Sequence, residues 1–168
     1  MVEHPTTERA PRRSRPYVPG NQVATGEAGM LEWSAVDAWL VSARVYWLGT
    51  ASPDGAPHAT PIWGAWVGGT LYFDGYYEKT RWGRNLAANP RLVVHIESGN
   101  RVVILQGVAA IVDLDAATFA ALSESYTRKY DQPPATSAGV YSVRPQVAFA
   151  WDNDAYTRTA TRWHFARD

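Results

Sequence analysis

Val45-Tyr46-Trp47-Leu48-Gly49-Thr50, Ser52-Pro53-Asp54-Gly55, the run from Ala59 to Val67, Gly68-Gly69 and Thr70-Leu71-Tyr72-Phe73 follow one another in a stretch whose reading decides the fold. β-Branched and aromatic residues dominate its three apolar runs, as strands require. Pro53 and Gly55 supply the dihedrals of a tight turn, and Gly68-Gly69 is a two-residue hairpin connection. Three strands joined by tight hairpins make an antiparallel meander.

Upstream, Leu31, Val36, Trp39, Leu40 and Ala43 fall at helical spacing, with Ser34 placed to cap the first turn and Asp37 completing a Ser-x-x-Asp box. Downstream, residues 79 to 89 predict a short helix that Pro90 terminates, because the residue before proline avoids helical dihedrals. Arg91 to Glu97 and Arg101 to Val112 read as long strands around the hairpin Ser98-Gly99-Asn100. Asp113 opens a helix on which Phe119, Leu122, Tyr126 and Tyr130 recur at spacings of three and four. A Pro-rich loop spans Asp131 to Gly139, and Gln146 to Trp151 and Thr161 to Phe165 are closing strands. The predicted class is therefore mainly β: an antiparallel barrel with a few helices at its rim.

The chain has 168 residues, 16 basic against 16 acidic side chains, and no cysteine. That length suits one domain, which buries roughly 70% of its unfolded surface. Without cysteine there is no disulfide, thiolate metal site, iron–sulfur cluster or cysteine nucleophile. Balanced charge argues against a strongly electrostatic nucleic-acid binder. The apolar runs fall short of the ~20 residues of a membrane span, and residues 1 to 20 lack the apolar centre of a signal peptide. The expectation is a cytoplasmic protein that engages neither nucleic acid nor membrane. Residues 1–29, with Pro5, Pro11, Pro16, Pro19 and the cluster Arg9, Arg12, Arg13 and Arg15, read as a mobile, solvated arm whose last part can lie over the domain surface; residues 30–168 form the domain.

His4, His58, His95 and His164 are scattered without metal-ligand spacing. His95 lies in a strand among Val93, Val94 and Ile96 and reads as structural or dimer-facing. The chain also lacks a Gly-x-Ser-x-Gly elbow, a Walker loop and a Gly-x-Gly-x-x-Gly fingerprint. An enzyme of this composition leaves its chemistry to a cofactor. No catalytic side chain is assigned, Tyr76, Tyr77 and His58 being the acid–base candidates. Lys79, Thr80 and Arg81 sit at a helix N-terminus, where free N–H groups and the macrodipole favour phosphate. Arg81, Arg84 and Asn85 share a face of that helix. The strand around Thr60-Pro61-Ile62-Trp63 offers backbone edges and an aromatic wall to a planar ring. A surface helix carrying solvated arginines is the alternative reading.

The ordered motifs Trp47-Leu48-Gly49-Thr50, Pro53-Asp54-Gly55, His58-x-Thr60-Pro61-x-Trp63-Gly64, Thr80-Arg81-x-x-Arg84-Asn85-Leu86-x-x-Asn89-Pro90-Arg91, Val93-Val94-His95-x-Glu97-Ser98-Gly99 and Val102-Val103-Ile104-x-x-Gly107 together resemble the pyridoxamine 5'-phosphate oxidase-like split-barrel family. More narrowly, the chain is similar to the actinobacterial branch containing FMN- and F420-dependent oxidoreductases, and 14 Arg against 2 Lys suits such an origin. The resemblance implies a six-stranded split β-barrel, a homodimer with two cofactors in clefts between subunits, and hydride transfer involving a small organic substrate. It places Thr80, Arg81, Arg84 and Asn85 on the phosphate, with Lys79 or Arg81 compensating for the basic residue that Trp82 replaces, Thr60, Pro61, Ile62 and Trp63 along the isoalloxazine, and Gln106 near the phosphate or ribityl chain. Arg162 and Trp163 match a C-terminal pattern that reaches the partner's site. Two departures stand out. Trp82 replaces a commonly basic residue and is read either as a ring-stacking side chain or as a core or dimer anchor. The chain ends His164-Phe165-Ala166-Arg167-Asp168 instead of in an Arg-Leu-x-Pro segment, which argues against vitamin B6 oxidation. A non-catalytic carrier of flavin, haem or another planar ligand is the second functional expectation. By motif, Trp63, Tyr76, Tyr77, Trp82 and Trp163 gather at the cleft, whereas Trp39, Trp47, Tyr72, Phe119 and Tyr126 pack the core.

Overall fold

A computed structural model describes residues 11–20, 22–75, 77–136 and 139–166, with the side chain of Tyr77 outside that set. It contains nine strands, β1 (Arg12–Ser14), β2 (Tyr46–Ala51), β3 (Pro57–Ile62), β4 (Ala65–Val67), β5 (Thr70–Asp74), β6 (Arg91–Ile96), β7 (Arg101–Val112), β8 (Val140–Asp152) and β9 (Thr161–His164). Four helices accompany them: α1 (Trp33–Ser42), α2 (Arg81–Ala88), α3 (Ala116–Tyr130) and α4 (Tyr156–Thr159). All strand pairs are antiparallel, in the order β1-β9-β8-β7-β6-β2-β3, while β5 joins β4 to β8. Since β4 follows β3 through Trp63 and Gly64, the pairings run around a ring and the sheet closes as a barrel.

Alternation sets the two faces. Tyr46, Leu48 and Thr50 of β2 are buried, whereas Trp47, Gly49 and Ala51 between them are only half-buried. The inward residues meet Val94, Val103, Leu105 and Phe73 in one core, against which Trp33 and Trp39 of α1 also pack. β8 is the seam. Its first residues pair with β5 and its last with β9, while β7 runs along its whole length. Gln106 opposes Val147 but Gly107 opposes Pro145, so Gln146 is an extra residue that bends β8 between its two partners. A Cβ on Gly107 would stand 2.7 Å from the carbonyl oxygen of Arg144, which restricts this crossing to glycine.

The hairpin at Gly68-Gly69 forms with both residues at positive φ, 54° and 77°, as a twisted two-residue turn requires. Other expectations are corrected. The run from Ala59 to Val67 divides into β3 and β4 at Trp63 and Gly64. Helix α1 begins at Trp33, ahead of Ser34, and its cap Glu32 makes no side-chain capping bond; the indole of Trp33 docks edge-on against Trp66, Trp163 and Phe165. Asp115, not Asp113, opens α3, accepting a 2.8 Å bond from the Thr118 N–H. Phe119 is 45% exposed and leaves the core stripe. β8 starts at Val140, six residues before the strand expected there, because its first half is held by β5, which is distant in sequence.

From residue 11 onward, the segment expected to be a mobile arm is fastened to the barrel. β1 pairs with β9, and the Arg15 guanidinium bonds the carbonyls of Gly26, Ala28, Arg158 and Ala160 at 2.6–3.0 Å. Arg13 pairs with Glu32 and Glu27. Residues 1–10 lie outside the described residues.

Candidate functional site

β3 ends the sheet order, with β2 its strand partner, so one edge has no strand neighbour among the described residues. Its register places Thr60 opposite Leu48 and Ile62 opposite Tyr46 on the core side, and Pro61 opposite Trp47 on the outer side. Thr60 is half-buried, Ile62 buried and Pro61 exposed. Past Ile62 the chain bends, and Trp63 emerges 49% exposed. Its ring lies flat on Tyr130, 4.5 Å between centroids and 3° from parallel. Gly64 follows because a Cβ there would reach within 2.9 Å of the Tyr72 carbonyl oxygen.

Helix α2 packs beside this strand and against β2. Thr80 caps it, its hydroxyl accepting from the Gly83 N–H at 3.1 Å, and no acidic residue lies in the first turn. Lys79, Arg81 and Arg84 are exposed. An Arg84 Nη donates to the Lys79 carbonyl at 3.2 Å, drawing that guanidinium back over the N-terminal turn. Arg81 reaches toward the β2–β3 turn, where its charge adds to the bonds from Ser52 and the Ala56 N–H that hold the Asp54 carboxyl below its ordinary value. One helix end thus gathers three cations and a hydroxyl beside an open strand edge, a donor set suited to phosphate.

Several expected members face elsewhere. Asn85 is buried and donates to Thr50 Oγ1 at 3.0 Å, tying α2 to β2. Trp82 is buried edge-on against Phe73 and Tyr141, each at 5.5 Å, so of its two readings the core anchor is the one its contacts match. Arg162 and Trp163 are consecutive in β9 and point to opposite faces. Arg162 Nε donates to Ser14 Oγ at 3.2 Å on the outer side, while Trp163 is 1% exposed against Trp33 at 5.4 Å. Gln106 also lies on the outer face, in line with Val93 of β6 and Val147 of β8. There it lines a trough of about 940 Å³ with His58, Arg91 and Gln146, over a floor kept low by Gly49 and Ala59. Tyr76 and the Tyr77 side chain lie outside the described residues. Among the described residues, no group of three or more His, Asp or Glu could hold a metal, and no helix is long and apolar enough to cross a membrane.

Two features escaped the sequence reading. Trp47, expected in the core, is instead half-buried on the outer face, because alternation in β2 turns Tyr46 and Leu48 inward; it lies parallel to His95, 6.2 Å away, in an apolar band continuing through Ile104 and Phe149. At the end of α3, Lys129 is 6% exposed, its ammonium 3.1 Å from the Tyr46 hydroxyl and 3.4 Å from the Gly64 carbonyl oxygen. Burial, helped by Arg128, lowers its pKa to about 8. Tyr130 accepts from the Gly64 N–H at 3.0 Å, and its one proton lies between the carbonyls of Arg44 and Gly64, at 2.7 and 2.9 Å. The available signal was spacing: Lys129 shares the helix face of Leu122 and Tyr126.

The fold is thus an antiparallel barrel in which the edge of β3 left unpaired among the described residues, the exposed Trp63 and the cationic N-terminus of α2 lie near one another. The chain belongs to the pyridoxamine 5'-phosphate oxidase family, whose model matches residues 33–152. No curated protein matches it in sequence. Among solved structures, a conserved hypothetical protein of Mycobacterium tuberculosis is 24% identical, with 77% of this chain and 90% of that one aligned at a TM-score of 0.60. An F420 reductase is 27% identical over 67% of this chain and 94% of its own, at 0.51. A haem-binding protein of Mycobacterium smegmatis is 24% identical over 77% and 62%, at 0.55.

Proposed function

We propose that this protein is a homodimeric oxidoreductase that binds FMN or coenzyme F420 and passes a hydride to or from a small organic substrate. The observation that carries this reading is the pairing of the open edge of β3 with the α2 terminus bearing Lys79, Arg81 and Arg84. The 27% identity to an F420 reductase supports it. Arg81 and Arg84 would bind the phosphate, with Thr80 both capping the helix and presenting its hydroxyl. Thr60 to Trp63 would lie along the ring system, Trp63 excluding water from one side. The hydride chemistry belongs to the flavin or deazaflavin when bound; the protein binds and orients. A second copy would cover the band of Trp47, His95, Ile104 and Phe149 and bring Arg162 and Gln106 toward the cleft. The unbroken core role of Trp82 favours, as a second reading, a binder of haem or another planar ligand without turnover, since no cation stands at that helix position.

The test is to titrate the purified protein with FMN, F420 and haem separately, following absorbance, and then to offer reductant. FMN or F420 binding below about 100 μM with reduction of the bound ring supports the oxidoreductase; haem binding alone supports the carrier, and binding of none of them removes both.

A further inference from the structure

The buried end of α3 is gathered on a single backbone unit, Gly64, the residue that follows Trp63. Lys129 bonds its carbonyl, and Tyr130 bonds both its N–H and its carbonyl while its ring supports Trp63 from below. The same two residues reach across to the start of β2 through the Tyr46 hydroxyl and the Arg44 carbonyl. The Tyr46 hydroxyl is in turn fixed, donating to the Leu40 carbonyl of α1 at 2.6 Å. Gly64 cannot be stiffened by a side chain of its own, since a Cβ would meet the Tyr72 carbonyl, so α3 supplies the restraint. The ion pairs found among the described residues do not include Lys129; its cation is held by dipoles and by the face of the Tyr46 ring, 5.2 Å away.

We propose that Lys129 and Tyr130 form a protonation-sensitive clamp on Gly64 that fixes the orientation of Trp63, and so are positioning residues for the planar-ligand wall. The inference rests on the ligand-binding reading of β3 for its consequence, but not for the clamp itself. The charged form of Lys129 holds the Gly64 carbonyl through a charge-assisted bond, and deprotonation weakens that hold. Lys129 is the group there that titrates near pH 8. The neighbouring phenols Tyr46, Tyr126 and Tyr130 are all pushed upward by burial, and Asp74, Arg128 and Arg44 are the charged residues that act on this cluster.

The experiment uses the full chain. The emission of Trp63 is isolated as the difference between wild type and Trp63→Phe, without ligand, from about pH 6.5 to about pH 9.5. Wild type should show a transition in that emission and in its acrylamide quenching near pH 8; Lys129→Met should be flat, and Tyr130→Phe should be more quenchable at every pH while keeping the ring stack. A wild-type emission independent of pH, or the same profile in Lys129→Met, overturns the clamp. FMN titration then gives a second arm: Tyr130→Phe and Lys129→Met should weaken binding about fivefold, as loss of one buried hydrogen bond does. Undiminished binding in both overturns the positioning role. Failure of wild type to bind FMN and F420 overturns the ligand reading alone, leaving the emission arm to decide the clamp.

Discussion

Trp82 fills the space between Phe73 and Tyr141, and that contact governs what substitution there can achieve. Trp82→Lys is expected to bury an unpaired charge and remove a packed indole. Its cost of about 3 kcal/mol or more should appear as a lower urea midpoint, with no gain in phosphate affinity. Gly107 is constrained by backbone and not by a side chain. Gly107→Ala should cost about 1–3 kcal/mol in the same assay, because the Arg144 carbonyl cannot rotate away. Residue by residue, the sequence was legible where one local rule decides: Gly68-Gly69 could be little else than a hairpin turn. It was not legible at Arg162 and Trp163, where a shared motif suggested a shared destination. Period-two alternation sends neighbours to opposite faces, and only the register with β8 says which face is the core.

Helix α2 is docked by its buried Trp82 and Leu86 and by the Asn85 link to Thr50, and its start is set by the Thr80 cap, which leaves its cationic side chains outward. Thr80→Ala should lower stability by about 1 kcal/mol and weaken FMN as well, whereas Arg84→Ala should weaken FMN with little change in thermal midpoint, an outcome checked by paired titration and melting curves. α3 makes a pH prediction. Its Lys129 has a folded pKa of about 8, lowered from 10.5 by burial. Between those values the unfolded chain binds more protons than the folded one, so the contribution of Lys129 to stability rises with pH across that interval and is flat below it. Denaturant midpoints measured through this range should climb in wild type and lose that component in Lys129→Met. The helix itself was visible in the spacing of Leu122, Tyr126 and Tyr130. The lysine on the same stripe was not, because nothing local announces that a Gly64 carbonyl will be waiting for it.

The outer face of the sheet carries Trp47, Val93, Ile104, Val147 and Phe149 side by side, each half-buried in a single chain, an apolar band that a partner could cover. If a second copy covers it, sedimentation should report a dimer and Ile104→Arg a monomer that remains folded by circular dichroism. Barrel topology was legible from the meander outward because its first turns are local. β1 was not: Arg12, Arg13 and Ser14 have no strand-like pattern, and they are held by backbone pairing to β9 and by the staple at Arg15.

The seam strand β8 bears on how such a chain comes into being. A nascent chain that has emerged only as far as α3 has β5 and β7 complete, but each still lacks the neighbour that joins them, so closure waits for residues 140–152 and spans nearly seventy residues of sequence from β5. Folding dominated by pairings of that reach is slow, and the open edges exposed meanwhile invite association. Chains truncated before Val140 should therefore accumulate as aggregates and not as smaller folded barrels, and refolding of the full chain should be retarded by disturbing the Leu71–Val143 pair far more than by disturbing β1.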